Sequence, residues 1–422
     1  MPISSHLSYL QKHRFLPRQI AIPPKPNLAI VVVIPVHREL NLLNTLESLE
    51  QCESPRGAVE VILVLNASIA HGPEIHDLQT QAAQLIDQWV RAQERNLAYW
   101  VIRVDDLPKK HAGVGLARKI GLDEAVDRFE QAGKEDGILV WLDADCEVMP
   151  NYLTEIQHHF QENPKKDVSS IRFEHPVSGN AFPEKVYRGA CLHELHLRYY
   201  LQGLRNAGHP YACPVLGSAL AVRSSAYQRM NGMNRRKTGE AFYFLHKFTP
   251  QGKTSELTST CVYPAPRISD RVPMGTGDTI SKWLMLDTDV YETFDHQVFV
   301  DLGALIAQFP TYWLHQPNEL PDRVLAFLEE VDFAGILEEA REHTAGRQAF
   351  VKRLFNWFEG LRVQQFLQYV QQQLGPRPDV RLAAARQLEL MGRAVDASNE
   401  IELLQAYREI QQTPGEPNEP VR

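Results

Sequence analysis

Apolar residues along the first third of the chain fall in short runs separated by stretches of helical spacing. Ala29 to Ile34 is wholly apolar and stops at Pro35, Ile138 to Leu142 is likewise apolar, and Val59 to Leu65 and Ala98 to Val104 are apolar but for Glu60 and Arg103. Runs of this length between turn residues read as strands buried on both faces. Between them, Leu42, Leu43, Leu46 and Leu49 share one side of a helix. Ile75 to Asn96 is polar-rich and helical, and Val114 to Gln131 makes a further helix. This alternation predicts an α/β fold with a mostly parallel sheet covered by helices on both faces. Ligands of such sheets sit outside the carboxyl ends of the strands.

From about Asn151 to Asp278 the alternation stops, leaving a helix over Leu192 to Leu204 and the segment Gly217 to Leu245. Beyond Trp283 the pattern is mainly helical. Glu319 to Val331 has Pro321 near a helix start, and Gln348 to Leu374 carries Phe350, Leu354, Phe358, Leu361, Phe366 and Val370 near one face, a core stripe. The expected organisation is an N-terminal arm over 1–28, a sheet domain over 29–285, a helical C-terminal region over 286–410 and a tail over 411–422. The arm holds the extended Ile22-Pro23-Pro24-Lys25-Pro26, and the Pro- and Glu-rich tail is expected to be disordered.

Composition narrows the function classes. With 422 residues, 44% apolar and 23% charged, the chain is globular and too long for one compact core. A net charge of −8 and the lack of a basic stripe interleaved with aromatics argue against a general nucleic-acid binder. Five scattered cysteines form no CxxC pair, and an odd number argues against a disulfide framework. No apolar stretch reaches the roughly 20 residues that span a bilayer. Met1 to Lys25 lacks the apolar core of a secretory signal. The expectation is a cytoplasmic protein without an integral membrane segment.

The candidate chemistry starts at Asp143-Ala144-Asp145, which closes the apolar run Ile138 to Leu142. Two carboxylates spaced i, i+2 at a strand end can turn together toward a cleft. Such hard oxygens suit Mn²⁺ or Mg²⁺ carried on a diphosphate, while the plain alternative is a solvated strand-end loop. Downstream, Pro266 to Pro273 and Gly275-Thr276-Gly277 combine Arg267, Arg271, Asp270 and two glycines. Arginine forks match phosphate oxygens bidentately; the same residues also make a Gly/Pro surface turn with an Arg–Asp pair. His193 and His196, three apart and without a third ligand at recognisable spacing, read as packing residues rather than a metal site. Asp287-Thr288-Asp289, a second DxD, reads as a surface turn.

The order of motifs resembles the family 2 glycosyltransferases, with their nucleotide-diphospho-sugar transferase fold. Ile34-Pro35-Val36-His37-Arg38-Glu39 is similar to the family's opening strand end, and Val64-Leu65-Asn66-Ala67-Ser68 sits where the family has V-D-D-G-S. Gly113 to Lys119 resembles the G-x-x-x-A-R-N helix start, and Leu142-Asp143-Ala144-Asp145 the L-D-A-D metal motif. Gly217-Ser218 begins the segment that resembles the acceptor side. Met230-Asn231-Gly232-Met233 and Gly239-Glu240-Ala241-Phe242 fall where G-G-M/F and G-E-D are expected.

The resemblance implies a sugar moved from a UDP- or GDP-sugar donor to an unidentified acceptor hydroxyl with inversion. It implies Asp143 and Asp145 as metal ligands for Mn²⁺ or Mg²⁺, with Asp143 also able to act on the donor ribose. Pro35, Glu39, Asn66, Arg118, Arg267 and Arg271 would contact the donor: Glu39 the ribose hydroxyls, Asn66 the base, the arginines the diphosphate. The family's proton acceptor is the Asp after the Glu of G-E-D. Here that position is Ala241, which cannot accept a proton, so Glu240 or Asp270 takes the role or turnover is lost. Adjacent side chains on a helix point roughly 100° apart, so Glu240 does not substitute automatically. Two alternatives stay open: a binding protein that keeps the donor and lost its base, and a nucleotidyltransferase. The second is disfavoured because no glycine follows the first strand. Arg235-Arg236-Lys237 meets either an acidic acceptor or solvent.

Overall fold

The computed structural model describes residues 8–234, 239–271, 275–314 and 319–412. Contacts divide the chain into two units, Met1–Pro176 with Val215–Asp278, and Val177–Pro214 with Thr279–Arg422. The segment 177–214 lies inside the expected 29–285 span, yet it groups with the C-terminal helices.

The first unit is built on eight strands: β1 (Leu28–Val36), β2 (Ala58–Ser68), β3 (Ala98–Leu107), β4 (Ile138–Trp141), β5 (Cys146–Val148), β6 (Val168–Phe173), β7 (Leu220–Arg223) and β8 (Thr254–Pro264). They form one sheet in the order β3-β2-β1-β4-β7-β6-β8-β5. The first four are parallel, as the apolar runs predict. β7 runs antiparallel to both β4 and β6, β8 is parallel to β6, and β5 closes the far edge antiparallel. The sheet is therefore mixed beyond β4, within the stretch where periodicity alone separated no strands. These later strands are short or irregularly paired, so they leave little period in the sequence. β1 runs through Pro35, which pairs in register with Val64, instead of stopping there. The missing N–H costs one ladder bond next to the strand's end.

The helices of this unit are α1 (Tyr9–His13), α2 (Leu43–Glu50), α3 (Pro73–Arg91), α4 (Val114–Ala132), α5 (Tyr152–Glu162), α7 (Ser224–Arg229) and α8 (Glu240–Leu245), α6 (Glu184–Asn206) belonging to the second. Right-handed crossovers that step from β1 to β2 to β3 put α2 and α3 on one face. The step back from β3 to β4 puts α4 on the other, where it packs on β1, β2 and β4. Gly121 lets α4 lie against the sheet, since a Cβ there would stand 2.4 Å from Val33 Cγ1 and 2.9 Å from Val64 Cγ2.

α4 carries Asp123, Glu124 and Asp127 and is nonetheless buried along Gly115 to Phe129. The described part of the arm explains this. Tyr9 Oη donates to Asp123 (2.7 Å), Arg14 pairs with Glu124 and Asp127, and Arg18 Nε donates to Asp127 (2.7 Å). The backbone N–H groups of Gln19 and Ile20 add bonds to Glu124. The arm is thus a strap that satisfies a buried acidic row.

The second unit is helical. α6 and the helices after residue 279 share one core that includes Tyr199, Phe299, Phe309, Phe358, Phe366 and Tyr407. The single helix expected over Gln348 to Leu374 is two, Arg347–Trp357 and Gly360–Leu374, broken where Phe358 turns into the core. Among the described residues no helix is long and apolar enough to cross a membrane. Residues 413–422, most of the expected tail, lie outside the described residues.

Candidate functional site

Strand order reverses between β1 and β4: the chain leaves β1 toward β2 on one side, while β4 has β7 on the other. Connections that diverge from two adjacent parallel strands open a crevice at their carboxyl ends. Glu39 follows β1, Asn66 lies near the end of β2, and Asp143 and Asp145 follow β4. β8 runs in the same sense as β4, so Arg267 and Arg271 beyond its end arrive at the same edge. α4 begins at this edge and brings Arg118. One rim therefore collects residues from positions 39 to 271.

Arg118 forms the floor. Its side chain is 2% exposed, with Nη2 donating to Asp143 and Nη1 to Glu240. Burial opposes the charge, but the two carboxylates outweigh it and hold the guanidinium protonated. Gly217 makes the room, because a Cβ there would meet Arg118 Nη1 at 2.9 Å. Glu240, the first residue of α8, is 4% exposed, and the next residue, Ala241, is equally buried.

The stretch after β8 forms the outer wall. Arg267 Nε donates to Asp145 Oδ2 (2.6 Å), its Nη2 donates to the same oxygen, and it lies 3.4 Å from Glu39 Oε2. Arg271 Nη2 donates to Glu39 Oε2 (2.9 Å) and Nη1 to the carbonyl of His37 (2.9 Å). Asp270, 84% exposed, accepts from Arg38 Nη2 at 2.5 Å. That hydrogen bond holds the Asp270 carboxyl below the ordinary range. Burial pushes Asp145 upward, Asp143 and Glu39 add to the rise, and Arg267 only partly offsets it. Negative charge is crowded here. Arg38 sits at φ 51, a left-handed conformation that side chains seldom adopt and that tends to mark functional sites.

Asn66 is anchored through its main chain, whose carbonyl accepts from Gln79 Nε2 (2.7 Å) and lies 2.8 Å from His37 Nδ1. Its side-chain Oδ1 is buried and has no hydrogen-bond partner among the described residues. Pro35 lies inside β1, buried, one step back from the rim. Gln79, the left-handed conformation of Arg38 and the place of Gly217 beside Arg118 leave no mark in the local sequence pattern. Gly217 and Arg118 are far apart in the chain, so no local pattern links them.

Other candidates fall elsewhere. His193 pairs with Tyr291 (2.8 Å) and His196 with Thr293 (2.7 Å), both within the helical unit. Asp289 of the second DxD is 81% exposed and bonds Arg188 (2.8 Å). Arg235-Arg236-Lys237 and Val272-Pro273 lie outside the described residues. An open cavity of about 860 Å³ lies at the opposite, amino-terminal edge of the sheet, lined by Asn27, Arg56, Gly137 and Phe160 among others. None of the candidate residues lines it.

Among the described residues no three His, Cys, Asp or Glu side chains form a metal cage. The donor set present at the rim fits a different manner of binding. Asp143 and Asp145 are 35% and 20% exposed, and each has one oxygen held by an arginine. Two hard oxygens in a crowded negative site suit a small divalent cation that takes its remaining ligands from phosphate and water.

Carboxylates and arginines thus gather at the switch point of an open, mixed α/β sheet. Residues 31–225 match the family described as Glycosyl transferase family 2. No curated protein matches the chain in sequence. Among solved structures, S. aureus TarS 1–349 in complex with UDP-GlcNAc is 16% identical, with 90% of this chain and 92% of that chain covered and a TM-score of 0.41. The same TarS segment with UDP is 16% identical, with 78% and 90% covered and a TM-score of 0.39.

Proposed function

We propose that the chain is a cytoplasmic glycosyltransferase that moves a sugar from a UDP- or GDP-sugar to an acceptor hydroxyl with inversion, with Mn²⁺ or Mg²⁺ at Asp143 and Asp145. The observation that carries this reading is the meeting at the β1/β4 switch point of Glu39 and Asp145 with Arg267 and Arg271, and of Asp143 with Arg118. The bound cation would supply Lewis-acid neutralisation of the departing nucleoside diphosphate. Asn66 offers a buried acceptor with no donor, which an N–H on the edge of the base, such as the ring N–H of uracil or guanine, would satisfy. Glu39 takes the ribose hydroxyls, and Arg267 and Arg271 turn their forks to the diphosphate. Arg118, locked between Asp143 and Glu240, orients Asp143. Pro35 acts by fixing the path of His37 to Glu39.

The acceptor proton is the difficult step. Asp270 is a poor proton acceptor while Arg38 holds it ionised, and one oxygen of Glu240 is committed to Arg118. A second reading, donor binding without transfer, is favoured by Ala241 and by that commitment of Glu240. Calorimetric titration of UDP- and GDP-sugars with Mn²⁺, repeated with EDTA and with Asp143→Ala/Asp145→Ala, tests the donor site. Binding that vanishes with EDTA and in the double variant is expected; no binding by folded protein to any donor refutes both readings. Turnover by the wild type, lowered in Glu240→Gln, favours the transferase. Binding without turnover or donor hydrolysis, with transfer appearing in Ala241→Asp, favours the binding protein.

A further inference from the structure

The seven residues after β8, Ala265 to Arg271, hold the rim by cations that already occupy the carboxylates a metal would need. Arg267 spends two nitrogens on Asp145 Oδ2 and approaches Glu39, and Arg271 joins Glu39 to the His37 carbonyl. The three guanidiniums at the rim differ in freedom. Arg118 is 2% exposed and walled in by Gly217, so it cannot leave. Arg267 is 24% exposed on a surface stretch whose outermost tie, Asp270 to Arg38, is largely in water. The Asp270–Arg38 pair, exposed at its carboxylate, contributes little to holding the stretch in place.

We propose that Arg267 is a displaceable stand-in for the metal: it keeps Asp145 until cation and nucleoside diphosphate arrive together, then exchanges the carboxylate for phosphate oxygens. This rests on the donor-site reading. A lone divalent cation at Asp145 must either take the remaining oxygen beside a guanidinium or expel that guanidinium from Oδ2, and both leave an uncompensated positive charge next to it. A diphosphate removes the obstacle, because it accepts the arginine fork bidentately while sharing its other oxygens with the cation. Cation and nucleotide therefore promote each other's binding, and by linkage the coupling is reciprocal. Uncoupled arrival, metal first, is blocked by the protein itself.

The test titrates Mn²⁺ alone, followed by electron paramagnetic resonance of the free ion, into wild type, Arg267→Ala and Arg267→Lys, then repeats each with UDP and GDP. Wild type should hold Mn²⁺ weakly alone and at least about tenfold more tightly with the matching nucleotide, the size expected from releasing charge-assisted hydrogen bonds. Arg267→Ala should bind Mn²⁺ alone about tenfold more tightly than wild type and show a smaller nucleotide effect. Arg267→Lys, a point charge without the fork, should fall between. Equal Mn²⁺ affinity in wild type and Arg267→Ala overturns the proposal, as does an undiminished nucleotide effect in the variant. Nucleotide-sugar binding by wild type in parallel calorimetry separates the two claims. If it persists while Arg267→Ala gains nothing, the exchange alone is wrong; if it is absent, the donor site falls with it.

Discussion

Replacing Arg118 with leucine tests whether the buried guanidinium is what holds the floor of the rim together. The change leaves Glu240, 4% exposed, as a carboxylate without its cation, and breaking a buried pair by removing one partner costs about 3–5 kcal/mol. Asp143 also loses a partner, but at 35% exposure water screens it, adding about 0–1 kcal/mol. Glu240→Gln alone leaves Arg118 bonded to Asp143 and removes one charged hydrogen bond, about 1.5–3 kcal/mol. In the double variant no buried charge is stranded, so it should be no less stable than Arg118→Leu and better than the sum of the singles by about 2–3 kcal/mol. Urea unfolding provides the cycle, and hydrogen exchange over Glu240–Leu245 localises it to the sheet unit. Costs that add to within about 0.5 kcal/mol would refute the coupling, and with it the claim that Arg118 and Glu240 form one structural unit.

Gly121→Ala should lower the melting temperature, because its Cβ would stand 2.4 Å from Val33 Cγ1. Overpacking of about 1–3 kcal/mol outweighs a helix-propensity gain of about 1 kcal/mol; a variant melting at or above wild type would contradict this packing. The arm gives a pH prediction. Burial raises Asp127, but hydrogen bonds from Arg18 and Arg14 outweigh it and hold the carboxyl below its ordinary value. The stabilisation is therefore complete above the unfolded value of about 3.9 and is lost as pH falls through the lower folded value. The stability gap between wild type and Arg18→Ala should be flat at neutral pH and shrink only below about pH 4; a gap that persists unchanged to pH 2 would show that the Asp127 bond does not carry it.

The parallel half of the sheet was legible because β1, β2 and β4 are buried on both faces, so burial wrote itself as apolar runs; β3, at the edge, is partly exposed rather than buried on both faces as its run predicts. Asp143 and Asp145 were legible for the same reason, since a carboxylate pair ending such a run marks a strand's carboxyl end. What the chain beyond Asn151 contributes was not: β7 is four residues long and reversed, and β6 and β8 pair across more than 80 positions of sequence. Their place depends on edges that exist only once β1 to β4 have assembled. The buried acids of α4 likewise look like a solvated face until the arm lies over them. Local periodicity and residue type settled the four parallel strands and where the acidic rim begins. Only the tertiary structure decided which charge faces which. Arg118 on Glu240 and Arg267 on Asp145 each join residues 122 apart, and no local pattern records a pairing at that distance because it is set by how the sheet and its crossovers close in space.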